Sequence, residues 1–446
     1  MVKKNMQDFT LVKSNLRGYE LGYIMTQEIK QRIEQLRLNK TPDGYKKTAV
    51  GVIPQDWEVI NLSDISEYKT KKNVENIKYP TFTNSATEGI IKQTDYFDKE
   101  ISNDENISGY YLVNENDFVY NPRISVSAPC GPINCSHIPE TGIMSPLYTV
   151  FKLLKEKEFY EFFFHSSIWY KYMCSVANYG ARSDRMNITN NDFFKMPLCQ
   201  PPLAEQQKIA EILSTQDKVI ELQQKRIDEL KKLKKAYLSK MFPQKGSNVP
   251  ELRFKRFSGN WEQRKFLDLG TVAMCKRVFK EETSEKGDIP FYKIGTFGGI
   301  PDAYISRKLF EEYKSKFSYP KVGDLLISAS GTIGRTVEYS GKDEYFQDSN
   351  IVWLNHDDRL DNSFLKCLYS TVKWAGIEGS TIKRLYNDNF LKTKFKLPSP
   401  AEQQKIGAFF RKLDDAITLQ SRKLDAEKLK KKSLMQLLLT GIVRVK

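Results

Sequence analysis

The string Ala-Glu-Gln-Gln-Lys-Ile occupies residues 204–209 and again 401–406, and a long uninterrupted stretch follows each copy. No glycine or proline breaks residues 203–241, and only Gly407 stands within 401–440. Prolines close whatever precedes: Pro201 and Pro202 before the first copy, Pro398 and Pro400 around the second. Glu205 and Glu402 then fall in a first helical turn, where a carboxylate complements the helix dipole, and lysines crowd both far ends. Each stretch predicts a helix of nearly forty residues, roughly 57 Å long. Leu213, Ile220 and Ile227 recur every seven residues, as do Phe410, Ile417 and Leu424. The interleaved positions are Ile209, Gln216, Gln223, Leu230 and Tyr237 in one helix and Ile406, Leu413, Gln420, Glu427 and Leu434 in the other. A heptad stripe this narrow needs a partner stripe, as in a coiled coil, with Gln223 and Gln420 as polar seam positions that fix register. The second helix of the same chain supplies one in an antiparallel pair; a helix from another chain is the alternative.

The repeat extends beyond the helices. At the same offset Ser183 meets Ser380, Asn190 meets Asn387, Phe193 meets Phe390 and Pro201 meets Pro398, without a gap from Ser183 to Ile209. Farther upstream Trp57-Glu58 matches Trp261-Glu262, and the stretch 114–125 matches 321–335. A period near 200 residues indicates domain duplication rather than a short-repeat solenoid. The reading is therefore an α+β chain with near two-fold repetition, in which two globular α/β-mixed domains alternate with two long helices. Its parts are an N-terminal extension with a helix (1–50), a first domain (51–200), a first spacer helix (201–245), a second domain (246–398) and a second spacer helix (399–446). Within the domains, 156–178 and 361–377 each read as one buried helix. Their aromatics read as core.

The 446 residues carry 70 Lys and Arg against 55 Asp and Glu, a formal charge of +15. That surplus suits an anionic partner such as nucleic acid, although a solvated basic surface has the same charge. The N-terminus lacks the apolar run of a secretory signal, and the six scattered cysteines include no CxxC pair. Reduced thiols in a cytoplasmic protein are expected, and a zinc site is not. His137, His165 and His356 have no repeat counterparts and no metal-ligand spacing. Neither a GxxxxGK[ST] phosphate loop nor a GxGxxG dinucleotide loop is present; Ser330–Thr336, glycine-rich but without the lysine, predicts a turn between strands. The residue content points to a binder with no catalytic residues. Two related but divergent basic modules on a rigid spacer suit a split, asymmetric DNA site, since duplex repeats every ~34 Å. A coiled-coil scaffold joining two protein-binding domains is the alternative.

With its doubled Pro-AEQQKI helices, its Trp-Glu openings, "GDLLISASGTIGR" at 323–335 and "LMQLLLTGIVRVK" at 434–446, the chain resembles the specificity subunits of type I restriction-modification systems over nearly its whole length. The resemblance implies that each globular unit is a target recognition domain for one half of a bipartite DNA site. It implies that the helices form the spacer, and that two methyltransferase subunits and restriction-motor subunits are partners. It also implies no catalysis by this chain alone, with S-adenosylmethionine, ATP and magnesium used on the partner subunits. The DNA-contact candidates are Arg123, Arg182, Ser183, Arg185 and Asn187 in the first domain and Ser330, Thr332, Arg335, Lys383, Arg384 and Tyr386 in the second. Arg and Asn suit base edges, and Lys, Ser and Thr suit phosphate. Two features depart from the pattern: an amphipathic N-terminal stretch, Ile24–Asn39, expected to pack beside the central helices, and "RISVSAPCGPI" at 123–133 in place of the Ser-Gly-Thr turn.

Overall fold

The computed structural model describes residues 26–96, 107–178, 184–377 and 383–445. The chain divides into two compact units, Met1–Leu222 with Lys423–Lys446 and Gln223–Arg422. Both long helices, Leu203–Met241 and Pro400–Leu439, run across that division.

Each unit repeats one framework. In the first, strand Glu58–Asn61 pairs antiparallel with Pro197–Gln200. In the second, Glu262–Lys265 pairs in the same way with Lys394–Leu397. A short 3-10 turn follows each opening strand, and its aspartate holds the preceding backbone: Asn61 N donates to Asp64 Oδ2 at 2.8 Å and Lys265 N to Asp268 Oδ2 at 2.7 Å. A four-stranded antiparallel sheet comes next. Its order is Ser66–Tyr68, Thr149–Leu153, Asp117–Tyr120, Ile133–Cys135 in one unit and Gly270–Ala273, Ile351–His356, Leu325–Ser328, Thr336–Glu338 in the other. The turn that enters the third strand is built identically. Asn114 N donates to Asp117 Oδ2 and Lys321 N to Asp324 Oδ2, both at 2.8 Å. The residue before each aspartate is left-handed, Asn116 at φ 68° and Gly323 at φ 92°, a region that Asn and Gly tolerate best. The intervening segments diverge. The first unit adds the hairpin of Phe82–Ser85 with Gly89–Lys92 and the antiparallel pair of Tyr111–Val113 with Gly142–Met144, and the second a three-stranded sheet with one parallel pair.

The predicted helix over 156–178 is two helices, Lys157–Phe164 and Tyr170–Val176. Ser166 stops the first by donating its hydroxyl to Phe163 O at 2.6 Å and accepting from Ile168 N, a side chain competing with helical backbone bonds. The helix predicted over 361–377 ends at Tyr369, where the Ser370 and Thr371 hydroxyls bond back to Lys366 O and Leu368 O. The aromatics of these segments are core, as read from the sequence. Phe159, Tyr160, Phe163, Phe164 and Trp169 are buried in one unit and Phe364 and Tyr369 in the other.

Within each unit the two long helices lie antiparallel. In the first, Ile209 and Leu213 share a buried cluster with Leu434 and Leu438, and Gln216 Nε2 donates to Glu427 Oε2 at 2.7 Å. In the second, Gln223 Nε2 donates to the backbone carbonyl of Gln420 at 3.1 Å, and the Tyr237 and Phe409 rings meet at 5.0 Å. Lys431 reaches Asp217 at 2.7 Å, and Lys234 reaches Asp414 at 2.5 Å. Each of these residues is the repeat counterpart of its namesake, 197 positions away, as Gln223 is of Gln420. Leu213, Ile227, Phe410 and Leu424 are buried, while Ile220, Gln223, Ile417 and Gln420 are half-buried.

Gly407, the one glycine in these helices, has a packing reason. A Cβ there would fall 1.8 Å from Ser363 Oγ and 2.9 Å from the backbone nitrogen of Phe364. We expect Gly407→Ala to destabilise the second unit by about 1–3 kcal/mol, although alanine gains about 1 kcal/mol of helix propensity. Peptide-resolved hydrogen exchange in the second unit checks the sign. Ser363→Ala in the same chain should return part of the loss, since Ser363 supplies the closest atom.

The N-terminal helix is Gln27–Arg37, capped by Thr26, whose hydroxyl accepts from Ile29 N. The rest of the stretch read as Ile24–Asn39 includes residues outside the described range. The helix packs on the C-terminal tail of its own unit. Arg32 donates to Ile442 O and sits 5.0 Å over the Tyr45 ring, while Tyr45 OH donates to Gly441 O at 2.6 Å.

Candidate DNA-reading surface

In both units the end of the third sheet strand is clamped to the segment that leads into a short helix. In the first unit Ile124 N donates to Asp184 O at 3.0 Å and Met186 N to Pro122 O at 2.9 Å, so that Arg123 bridges Arg185. In the second, Gly331 N donates to Lys383 O at 3.1 Å and Leu385 N to Ala329 O at 2.8 Å, so that Ser330 bridges Arg384. The same ladder therefore places Arg185 and Arg384 at one equivalent position. Met186 and Leu385 point inward and are buried. The short helices Asn190–Phe194 and Asn387–Lys392 follow, with Phe193 and Phe390 buried.

This pairing revises the ungapped alignment. Arg185 and Arg384 stand 199 residues apart, whereas the helices they precede stand 197 apart. The first unit thus carries two extra residues after its arginine. Asn187 lies within them, is exposed, and bridges Asn178.

The candidates differ in what their side chains are free to do. Arg123, Thr332, Lys383 and Tyr386 are exposed, and Arg185 is half-buried. Next to Arg123 the loop offers Ser125, Val126 and Ser127, with Val126 fully exposed. Arg384 is half-buried. It lies 3.3 Å from Ser349 Oγ and 3.4 Å from Asn350 Oδ1, with its guanidinium 5.7 Å from the Tyr386 ring. Ser330 is buried and donates its hydroxyl to Asn350 Oδ1 at 2.8 Å. Arg335 donates Nη1 to Phe297 O at 2.9 Å, which ties part of its fork to the protein. The turn between the two strands, Ser330–Gly334, is held by Ser328, which accepts from Arg335 N at 2.9 Å and donates to Thr332 O. Arg182 and Ser183 lie outside the described residues.

The two AEQQKI segments are anchors. Glu205 and Glu402 are buried, as are Gln206 and Gln403, while Gln207, Lys208, Gln404 and Lys405 face outward. Glu402 takes a bidentate pair from Arg253, at 2.8 and 2.7 Å. Glu205 takes one from Arg444, at 2.7 and 2.8 Å, and also accepts from Trp57 Nε1 at 2.9 Å and Val445 N at 3.2 Å. Glu205, and after it Asp56, holds Arg444 more firmly protonated than a free arginine. Gln403 donates to Pro398 O and Arg359 O, both at 3.0 Å, and accepts from Asp361 N at 2.9 Å. Gln206 donates to Pro201 O at 2.8 Å. The first glutamine of each pair is thus taken up by the protein itself, and only the second faces outward. Arg253 and Arg444 were not among the sequence candidates. Each stands between apolar residues shortly after a long helix, as Leu-Arg-Phe and Val-Arg-Val, and that shared pattern was the available signal.

The family model of the type I restriction modification DNA specificity domain matches this chain twice, over residues 54–232 and 258–428. The chain belongs to this family. Its two globular units are accordingly DNA specificity domains, and the scaffold alternative is not favoured. A putative type I restriction enzyme specificity subunit of Haemophilus influenzae is 57% identical over 148 residues, which is 33% of this chain and 38% of that relative. A second such subunit, from Methanocaldococcus jannaschii, is 25% identical over 451 residues, covering 91% of this chain and 97% of the relative. A solved chain, described under the complex assembly and conformational transition of the type I R-M system, has a TM-score of 0.54 at 15% identity. It covers 88% of this chain and 99% of its own and supports the fold. Among the described residues no helix is long and apolar enough to cross a membrane.

Proposed function

We propose that each specificity domain reads one half of a bipartite, asymmetric DNA site, and that the long helices act as an antiparallel coiled-coil spacer that sets the base pairs between halves. On this reading the divisions are those of the sequence: an extension (1–50), target recognition domains at 51–200 and 246–398, and spacer helices at 201–245 and 399–446. The chain is non-catalytic alone. It works in the cytoplasm beside two methyltransferase subunits and restriction-motor subunits, which use S-adenosylmethionine, ATP and magnesium. Apolar side chains left exposed on each long helix, such as Leu222 and Leu419, suit those protein partners.

The observation that carries the reading is the repeated two-bond ladder. It sets an arginine of each unit at an equivalent position beside an exposed loop, while the neighbouring residues differ between units. Shared backbone with divergent exposed side chains fits two readers of different half-sites. The net charge of +15 favours the DNA phosphates in both cases. Arg384→Ala should weaken binding to the cognate site by roughly 5- to 150-fold, with discrimination relaxed in one half-site only. Competition binding against singly substituted sites measures both. A uniform loss across all sequences, with the salt slope reduced by about one, would assign Arg384 to phosphate instead. Binding indifferent to both salt and DNA would contradict the proposal as a whole.

A further inference from the structure

Cys135 ends the sheet strand Ile133–Cys135, and His137 follows two residues later. Glu161, on the helix Lys157–Phe164, meets them, with its Oε1 2.8 Å from His137 Nε2. The thiol, the imidazole and the carboxylate place one ligand atom each within 4.8 Å of one another. We propose that these three residues form a binding site for a borderline-soft divalent ion of the zinc class, with a fourth position open to water.

The donor set is the one such an ion selects: a thiolate, an imidazole and a carboxylate oxygen. With Zn–S near ~2.3 Å and Zn–N near ~2.0 Å, tetrahedral donors stand about 3.5 Å apart. A pair at the 4.8 Å limit needs a contraction of about 1 Å, whereas the 2.8 Å His137–Glu161 pair must open by roughly half an ångström. The two outer ligands can supply both movements, since the side chains of His137 and Glu161 are 68% and 22% exposed. Cys135 is buried and fixed in the sheet. It provides the rigid end of the site, and the exposed histidine provides the entry. A metal would bind Cys135 as the thiolate and release its proton. The His137–Glu161 bond brings the ring and the carboxylate together, and a metal would take the place of the proton they share.

Nothing in the sequence marks the site as a metal motif, because Cys-x-His is too short a signal and Glu161 lies 24 residues beyond His137. The inference is independent of DNA reading and needs no partner subunit.

Cobalt(II) titrated into the full chain provides the probe. A thiolate-to-cobalt charge-transfer absorption that saturates at one equivalent is expected. It should vanish in Cys135→Ser and require at least roughly tenfold more metal in His137→Ala or Glu161→Gln. His137 is exposed, so its variant keeps the fold, and circular dichroism verifies this. Absence of the charge-transfer band in the wild-type chain would overturn the site. So would a band that persists unchanged in Cys135→Ser or in His137→Ala, because the metal would then lie on another thiol or without the imidazole.

Discussion

Arg253→Ala is expected to destabilise the second unit by about 3–5 kcal/mol, the cost of removing one partner from a buried ion pair. Glu402 is 1% exposed and receives both arms of the guanidinium. The same side chain donates to Gly259 O at 2.6 Å and Ser258 O at 3.0 Å, fixing the approach to Trp261. Truncation leaves a carboxylate in the interior with no cation. Arg253→Ala/Glu402→Ala should recover part of the loss, because no isolated charge remains. A chain of two units need not unfold in one step, so the readout is peptide-resolved hydrogen exchange, which reports each region's own opening. Peptides of the second unit should lose protection while those around Phe151 and Trp169 keep theirs. A change below about 1 kcal/mol in the second unit, or an equal loss in both, contradicts the anchoring role. Arg444→Ala should act on the first unit in the same sense but more weakly, since Glu205 retains the Trp57 indole N–H and the Val445 amide.

These anchors also show where the sequence was legible and where it was not. The long helices were readable because nothing but Gly407 interrupts them, and the heptad carries its own period. The duplicated framework was readable through Trp57 and Trp261 and through the Asp117 and Asp324 turns. The role of the AEQQKI glutamate was only partly readable. Its place in the first turn suggested the helix dipole, but its partner comes from a tail more than 200 residues away in one unit and from a connector nearly 150 residues upstream in the other. Helix lengths inside the domains were overestimated because the apolar pattern continues past the serines that end them. The candidate surface had the least signal. A two-bond ladder between loops has no periodicity, and the two-residue insertion around Asn187 hid the correspondence of Arg185 with Arg384.

The second large effect concerns modularity. The ladder, the exposed loop and the divergent middle of the first domain all lie within residues 51–200, and each strand pairing that forms that domain's framework closes within the same stretch. Exchanging it for the corresponding stretch of another family member should replace one half of the recognised site completely. The other half and its distance should stay as they were, because the second domain and both long helices are retained. Each mismatched base pair costs about 1–3 kcal/mol in protein–DNA recognition, so a half-site of several positions corresponds to loss of the original target, not a modest weakening. The exchange point after Gln200 keeps Pro201, Pro202 and the Glu205 anchor with their helix.

The most direct measurement is a genome-wide map of methylated adenines in cells that carry the methyltransferase proposed as its partner with either this chain or the 51–200 exchange. Two defined half-sites separated by a fixed unspecified gap are predicted for the native chain, with one half alone changed by the exchange. A single continuous motif, or an exchange that alters both halves, would contradict the assignment of one reader to each half-site.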